Sequence, residues 1–384
     1  MKVLYFTRDY TTHDRRFLAA LAKTDHDVAY LRLERRGHQL EDRPLPPGIE
    51  QISWAGGQTS FSWWDVPQLY RDLKRVIRDV KPDLIQSGPI QTAALLVALT
   101  GFEPLVSMSW GYDLLIDAER NAALRWATRY TLKRSAVMVG DCETIRRKAI
   151  LYGMPDERIV TFPWGVEIEH FTPQEYRVPA GKSPLRERCG WDEDIFILLS
   201  TRAWEPIYGV EVIARAFARI AKDRPYMRLL MLGNGSQAGL LRKIYFQAGV
   251  QDQVNFPGQV SRADLPRYYR AADLYVSASH SDGSSISLLE AMACGCPVLV
   301  SDIPGNREWV DHGVQGWWFR DGDIADLERL LIRTVDEHRG QLPGMGKSAR
   351  LLAESRADWE KNFPELIYAY NLAIEVAKAP KLSK

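Results

Sequence analysis

Four cysteines are few for 384 residues. Cys142 and Cys189 stand alone, and Cys294-Gly295-Cys296 lacks the spacing of a zinc ligand pair. A disulfide framework is therefore not expected; reduced thiols and a cytoplasmic setting are. No window holds 18 apolar residues, which argues against a membrane-spanning helix. The opening Met1–Phe6 runs straight into Thr7-Arg8-Asp9, too short an apolar stretch for a secretory leader. Charge of one sign is missing as well. Up to residue 170 there are 23 basic and 22 acidic residues, and 27 of each afterwards. Without a basic half, the chain does not read as a general nucleic-acid binder.

What is present is an ordinary globular mixture, 46% hydrophobic and 26% charged, enough to fill a core without staples. Its dominant pattern is short apolar runs separated by helical stretches. One series of strands is expected at 3–6, 28–33, 84–87, 105–109, 136–139 and 159–162. A second is expected at 195–200, 228–232, 254–256, 274–277, 298–301 and 316–319. Nearly all-apolar strands alternating with helices such as 17–23, 64–80, 122–134 and 210–222 imply parallel sheets covered on both faces. Two such series imply two Rossmann-like, doubly wound α/β domains. The Pro- and Gly-rich stretch 173–189 is the expected linker, between an N-terminal domain of 1–172 and a C-terminal domain of 190–364. The tail reads as helical, with Pro364 as a kink. Trp63-Trp64 and Trp317-Trp318 are expected to pack in the core or between domains, although aromatic faces also stack on sugars.

The most informative stretch is DLYVSASHSDGSSISLLEAMACGCPVLVSDIPGNREWV, residues 273–310. A buried strand ends in a polar turn of small residues, and a helix begins near Ser285. Such a turn presents free backbone N–H groups and positive dipole potential, which suits a diphosphate. Gly283 lets the backbone approach a ligand closely. Asp282 in the loop and Glu290 in the helix can border one crevice at the carboxyl ends of the strands, where an acid accepts hydrogen bonds from sugar hydroxyls.

This segment resembles the signature of the retaining nucleotide-sugar glycosyltransferases of the family-four, or group 1, type. That signature has two acids with seven residues between them, the second followed by Ala-Met-Ala-x-Gly-x-Pro-Val. Here the second acid is Glu290, followed by Ala291-Met292-Ala293-Cys294-Gly295-Cys296-Pro297-Val298. Further matches are Leu151–Pro155, Pro163–Glu167, Leu232–Gly235, Phe256–Val260 and Ser301–Glu308. The resemblance implies a GT-B fold, two domains facing a central cleft, with the tail helix 365–384 returning to the first.

It also implies roles. Glu290 would bind ribose hydroxyls and Asp282 the donor sugar. The amides of Gly283, Ser284, Ser285 and Ile286 would hold the diphosphate or the sugar, and Arg202 would neutralise the diphosphate. The backbone around Val260 would meet the base. Trp110-Gly111-Tyr112-Asp113 would border the transferred sugar, with Asp113 among the catalytic candidates, although Asp113 also suits a helix cap. His13 and Asp14, beside the first strand end, suit an acceptor contact or a solvated loop. The chain departs from the family pattern in three places: Asp282 stands for Glu, Trp110 for His, and Tyr208 for a Lys before Gly209. The Tyr208 hydroxyl can still donate to phosphate.

The function implied is transfer of a sugar from a nucleoside-diphosphate sugar, a co-substrate rather than a cofactor. The acceptor would be a glycan, a lipid-linked molecule or a small molecule, and anomeric configuration would be retained. No metal is expected, since no acid pair has metal spacing. A nucleotide-sugar epimerase or a non-catalytic binding module remains an alternative. Arg120, Arg125, Arg129, Lys133 and Arg134 with Trp126 and Tyr130 suit either a solvated helix face or a peripheral contact with the inner face of an anionic membrane. Oligomeric state is not legible.

Overall fold

A computed structural model describes residues 1–35, 41, 43–173 and 183–379. The expected linker positions 174–182 and the tail end 380–384 lie outside the described residues. Thirteen strands form two parallel sheets among the described residues. They are β1 (Lys2–Thr7), β2 (Asp27–Arg32), β3 (Glu50–Gln51), β4 (Leu84–Gly88), β5 (Leu105–Met108), β6 (Val137–Gly140) and β7 (Ile159–Thr161), then β8 (Phe196–Ser200), β9 (Met227–Leu232), β10 (Val254–Gly258), β11 (Leu274–Ser277), β12 (Val298–Ser301) and β13 (Gly316–Phe319). Twelve correspond to the apolar runs. The other, β3, is two exposed residues with no hydrophobic signature.

The first sheet has the order β3-β2-β1-β4-β5-β6-β7 and the second β10-β9-β8-β11-β12-β13. In each, the chain winds outward in one direction, then returns to the starting strand and winds the other way. The order reverses between β1 and β4 in one sheet and between β8 and β11 in the other. Loops diverge at such a point and leave a crevice at the carboxyl ends of the strands. The central strands are buried along their length, as sheets covered on both faces require.

Met1–Phe162 and the chain from Phe363 onward form one compact unit; Pro163–Asn362 form the other. The crossing thus falls at 162/163, earlier than the expected 172/173. Burial explains the difference. Ile168 and Phe171 are buried in the core of the second unit, and Val166 N–H donates to Ala357 O at 2.7 Å. Nor is 183–189 a free linker. Pro184–Cys189 is a helix whose Leu185 enters the same core, while Arg186 donates to Ala271 O, Ile195 O and Asp273.

Pro364 does not kink a continuous helix. It occupies the first turn of a separate one, Pro364–Lys378, where its missing N–H costs nothing. That helix buries Leu366, Ala369, Tyr370 and Ala373 in the first unit, and Tyr370 Oη donates to Gln86 on β4. Trp63 and Trp64 are not interior. They lie in a short turn before helix Val66–Val80 and are 55% and 92% exposed. Trp317 is buried as expected. All four cysteines are free, with only Cys189 exposed.

Candidate active site

In the second unit, both loops flanking the reversal carry charge. The loop after β8 supplies Thr201, Arg202 and Tyr208; the loop after β11 supplies Asp282 and leads into helix Ile286–Ala293. The topology therefore brings positions 202 and 282 together, eighty residues apart in sequence. Arg202 Nη2 lies 2.7 Å from Asp282 Oδ2, with both side chains largely covered. Arg202 Nη1 donates to Ser285 Oγ at 2.8 Å and Ser287 Oγ at 3.1 Å. The guanidinium lies over the Tyr208 ring, 4.0 Å from its centroid. The Arg202–Asp282 contact satisfies ion-pair distance but not hydrogen-bond angle, so Oδ2 and Arg202 Nε remain buried without a hydrogen bond.

Burial works against the charge on both partners. At Arg202 burial is the largest single influence, but the Asp282 carboxylate together with Tyr208, Tyr275 and Tyr269 outweighs it, and the guanidinium pKa is raised. At Asp282 burial dominates and raises the carboxyl pKa, although Arg202, the Ser285 hydroxyl and the Gly283 amide oppose it. A cation held in a low-dielectric pocket by one carboxylate and two hydroxyls is a ready partner for an anion that replaces the carboxylate.

The helix is positioned from both ends. Its first internal amide bond is Leu289 N–H to Ser285 O, so the amides of Ile286, Ser287 and Leu288 have no intrahelical acceptor. At its other end Arg350, buried, donates to Ala293 O, Phe171 O and Ile168 O, placing a cation at the negative end of the helix dipole. Gly305 lies directly beneath the loop. A Cβ there would stand 2.4 Å from Asp282 O and 2.5 Å from Gly283 O. Ser284 Oγ accepts from Trp309 Nε1, so its side chain anchors the loop.

Glu290 is partly buried and accepts a 2.9 Å hydrogen bond from Tyr269 Oη, which also lies 3.0 Å from Thr201 Oγ1. Tyr275 Oη donates to Ser287 Oγ. Burial, with Glu290 and Tyr275 nearby, pushes the Tyr269 hydroxyl far above its ordinary pKa, so it stays a neutral donor. Thr201, Tyr269, Tyr275 and Ser287 did not emerge from the sequence. Their hydroxyls come from four separate elements, and periodicity marks the tyrosines only as apolar. His280, in the loop after β11, pairs with Asp321, Nδ1 to Oδ1 at 2.6 Å. Val260 follows β10, two strands from β8, and lines a surface recess of about 450 Å³ with Arg188, Gln259, Ser261 and Tyr268.

Two models of known families match this chain. "Glycosyl transferases group 1" matches residues 182–362, and "Glycosyl transferase 4-like domain" matches 10–165. The chain belongs to the group 1 glycosyltransferases. Among relatives of this family, the D-inositol 3-phosphate glycosyltransferase of Thermobispora bispora is 32% identical over 62% of this chain and 56% of its own. A GDP-mannose-dependent phosphatidylinositol monomannoside mannosyltransferase of Corynebacterium glutamicum is 23% identical over 77% of each chain. The chain spans about half the length of the inositol-phosphate relatives it matches first. Anabaena HepE, solved with UDP-glucose, superimposes with a TM-score of 0.77 at 20% identity over 97% of this chain and 99% of its own. The sucrose-phosphate synthase of Thermosynechococcus elongatus gives 0.79 at 18% over 97% and 98%. These likenesses show the GT-B fold.

In the first unit, two expected site residues prove structural. Asp113 is fully buried. It accepts from Ile90 N–H (3.0 Å), Ser109 Oγ (2.6 Å), Trp110 N–H (3.1 Å) and Leu114 N–H (3.0 Å), which leaves no free edge for a sugar. It ties the loop after β4 to the loop after β5, and burial raises its pKa to about 6 against these donors. Asp14 is likewise buried. It accepts from Tyr5 Oη, Thr11 N–H and the Thr11 hydroxyl, in a capping box that starts helix Thr12–Leu21. Its pKa is also about 6, through burial. Neither carboxylate is exposed. His13 and Trp110 do meet at the mouth of this sheet, half-buried, with ring centroids 5.9 Å apart.

Proposed function

We propose that the protein transfers a glycosyl group from a nucleoside-diphosphate sugar and that the donor binds at the β8/β11 crevice. The observation that carries this reading is the Arg202 guanidinium, set beside Asp282 and bonded to Ser285 and Ser287 at the start of helix Ile286–Ala293, whose first amides have no intrahelical acceptor. An incoming diphosphate would displace the Asp282 carboxylate from Arg202 and accept from those amides. Asp282, released, would turn to the hydroxyls of the sugar. Glu290, oriented by Tyr269, would receive the ribose hydroxyls, and the backbone at Val260 the base. Support comes from the family membership and from the relatives, among which HepE holds UDP-glucose.

In this reading, negative charge grows on the leaving diphosphate as the glycosidic bond breaks. Arg202 and the helix amides are prearranged where that charge appears. Attack on the same face, with the leaving phosphate accepting the acceptor proton, would retain configuration without a protein nucleophile. The reaction would need no metal. His13 and Trp110 would border the acceptor, which would be a glycan, a lipid-linked molecule or a small molecule.

No helix among the described residues is long and apolar enough to cross a membrane. We include peripheral contact with an anionic membrane in the proposal. Helix Ala122–Arg134 exposes Arg125, Arg129, Lys133 and Arg134 and carries no acid, and exposed Trp126 stacks on Tyr130 at 5.3 Å. Sedimentation with phosphatidylglycerol vesicles tests this part.

The enzymatic reading is tested by incubation with UDP-, GDP-, ADP- and dTDP-sugars and a panel of acceptors. Nucleotide release and the product anomer are followed by NMR. Transfer with the donor's anomeric configuration is expected. Conversion of donor without acceptor would instead favour an epimerase, and binding without any turnover a non-catalytic module.

A further inference from the structure

We infer that Tyr208 is a positioning residue for Arg202, acting through its aromatic face and not its hydroxyl; this rests on the donor-site reading above. The ring sits 4.0 Å below the guanidinium and packs against the hydrophobic core of the second unit. Its backbone cannot drift. Gly209, next in the chain, has φ +58°, and a Cβ there would lie 2.0 Å from Ala278 O. Ile207 O accepts from His280 N–H at 2.9 Å, which fastens the turn Pro206–Tyr208 to the loop after β11.

The remaining contacts of Arg202 all engage its Nη atoms: Asp282, Ser285 and Ser287. Nε is buried and has no acceptor. A diphosphate must compete for those same Nη groups, so the edge contacts are exchanged on binding. The stacking contact uses the face of the guanidinium and consumes no N–H, so it persists while the edge partners change. The ring therefore keeps the fork in plane as its partner switches from carboxylate to phosphate. A hydroxyl contribution to phosphate is not needed for this role.

The test is titration calorimetry of the full chain with UDP, GDP, ADP and dTDP, continued with whichever binds. Tyr208→Leu is expected to weaken binding five- to tenfold, and Tyr208→Phe to restore it to within threefold of the parent. In an Arg202→Ala background, Tyr208→Leu is expected to add less than a twofold further loss, because the ring acts only through the guanidinium. Tyr208→Met, equally without a ring, serves if the Leu variant does not fold, with the same expectation. A Phe variant as weak as the Leu variant would assign the effect to the hydroxyl and overturn the inference. So would a Leu variant that binds like the parent, or losses that multiply in the Arg202→Ala background. A parent chain that binds none of the four nucleotides would overturn the donor-site reading itself, and the role of Tyr208 with it.

Discussion

Asp14 and Asp113 lie at the carboxyl ends of β1 and β5 in the first sheet; Asp282 and Glu290 lie beyond β11 in the second. Both sheets wind the same way and reverse at the same relative position. In the first, each acid is fully buried among neutral hydroxyl and amide donors, and burial keeps its pKa near 6. In the second, Asp282 faces a cation from another loop and Glu290 a tyrosine from another helix. A buried acid surrounded by neutral donors stabilises the loops that supply them. An acid whose partner is a long-range cation, with hydrogen-bonding capacity left over, can exchange that partner for a ligand.

The largest expected effect breaks this contrast at its strongest point. Arg202→Ala should lower kcat/KM by about 10²–10³-fold, the usual cost of losing a prearranged donor to developing charge. The rate should fall more than the affinity, since the charge grows in the transition state. Steady-state kinetics at saturating and limiting donor separate the two, and an unaltered rate at saturation would remove Arg202 from the chemistry. Next comes Glu290→Ala, expected to weaken nucleotide binding by about 1.5–3 kcal/mol, the worth of charge-assisted hydrogen bonds. Calorimetry reads this, and unchanged affinity would take Glu290 off the ribose.

On the other side of the contrast, Asp113→Asn should leave nucleotide affinity alone and destabilise the fold by about 1–3 kcal/mol, because an amide nitrogen cannot accept from the donors that converge there. Denaturant unfolding with a parallel titration checks both halves; lost affinity in a stable variant would return Asp113 to the site. The smallest effect is in the pH dependence. The pKa of Asp113 is raised from 3.8 to about 6, so the folded state keeps a proton that the unfolded chain has lost. The stability tied to that proton is full below about pH 4 and is lost as pH rises through about 6. The deficit of Asp113→Asn should therefore be larger at about pH 4.5 than at about pH 6.5, and equal deficits would contradict the burial account.

Apolar runs made both sheets legible, because parallel strands covered on two faces must be continuous in hydrophobic residues. The loop and helix from Asp282 to Glu290 were legible too, since small residues before a helix start are a local signal. Whether Asp113 and Asp14 serve a site or a turn is hidden in the sequence: an acid in a turn looks the same whether four donors surround it or none. The tyrosines at 269 and 275 were invisible as site residues because their ring hydrophobicity, not their hydroxyl, dominates the pattern. The boundary at 162/163 was hidden because Ile168 and Phe171 are anchored by residues far along the chain, and sequence spacing does not carry that information.

The most direct measurement is a crystal structure of the chain grown with whichever nucleoside diphosphate binds most tightly. The account predicts phosphate oxygens within hydrogen-bond distance of Arg202 and of the amides at 286–288, the ribose on Glu290, and Asp282 withdrawn from the guanidinium. Density for the nucleotide elsewhere, with the Arg202–Asp282 pair intact, would contradict it.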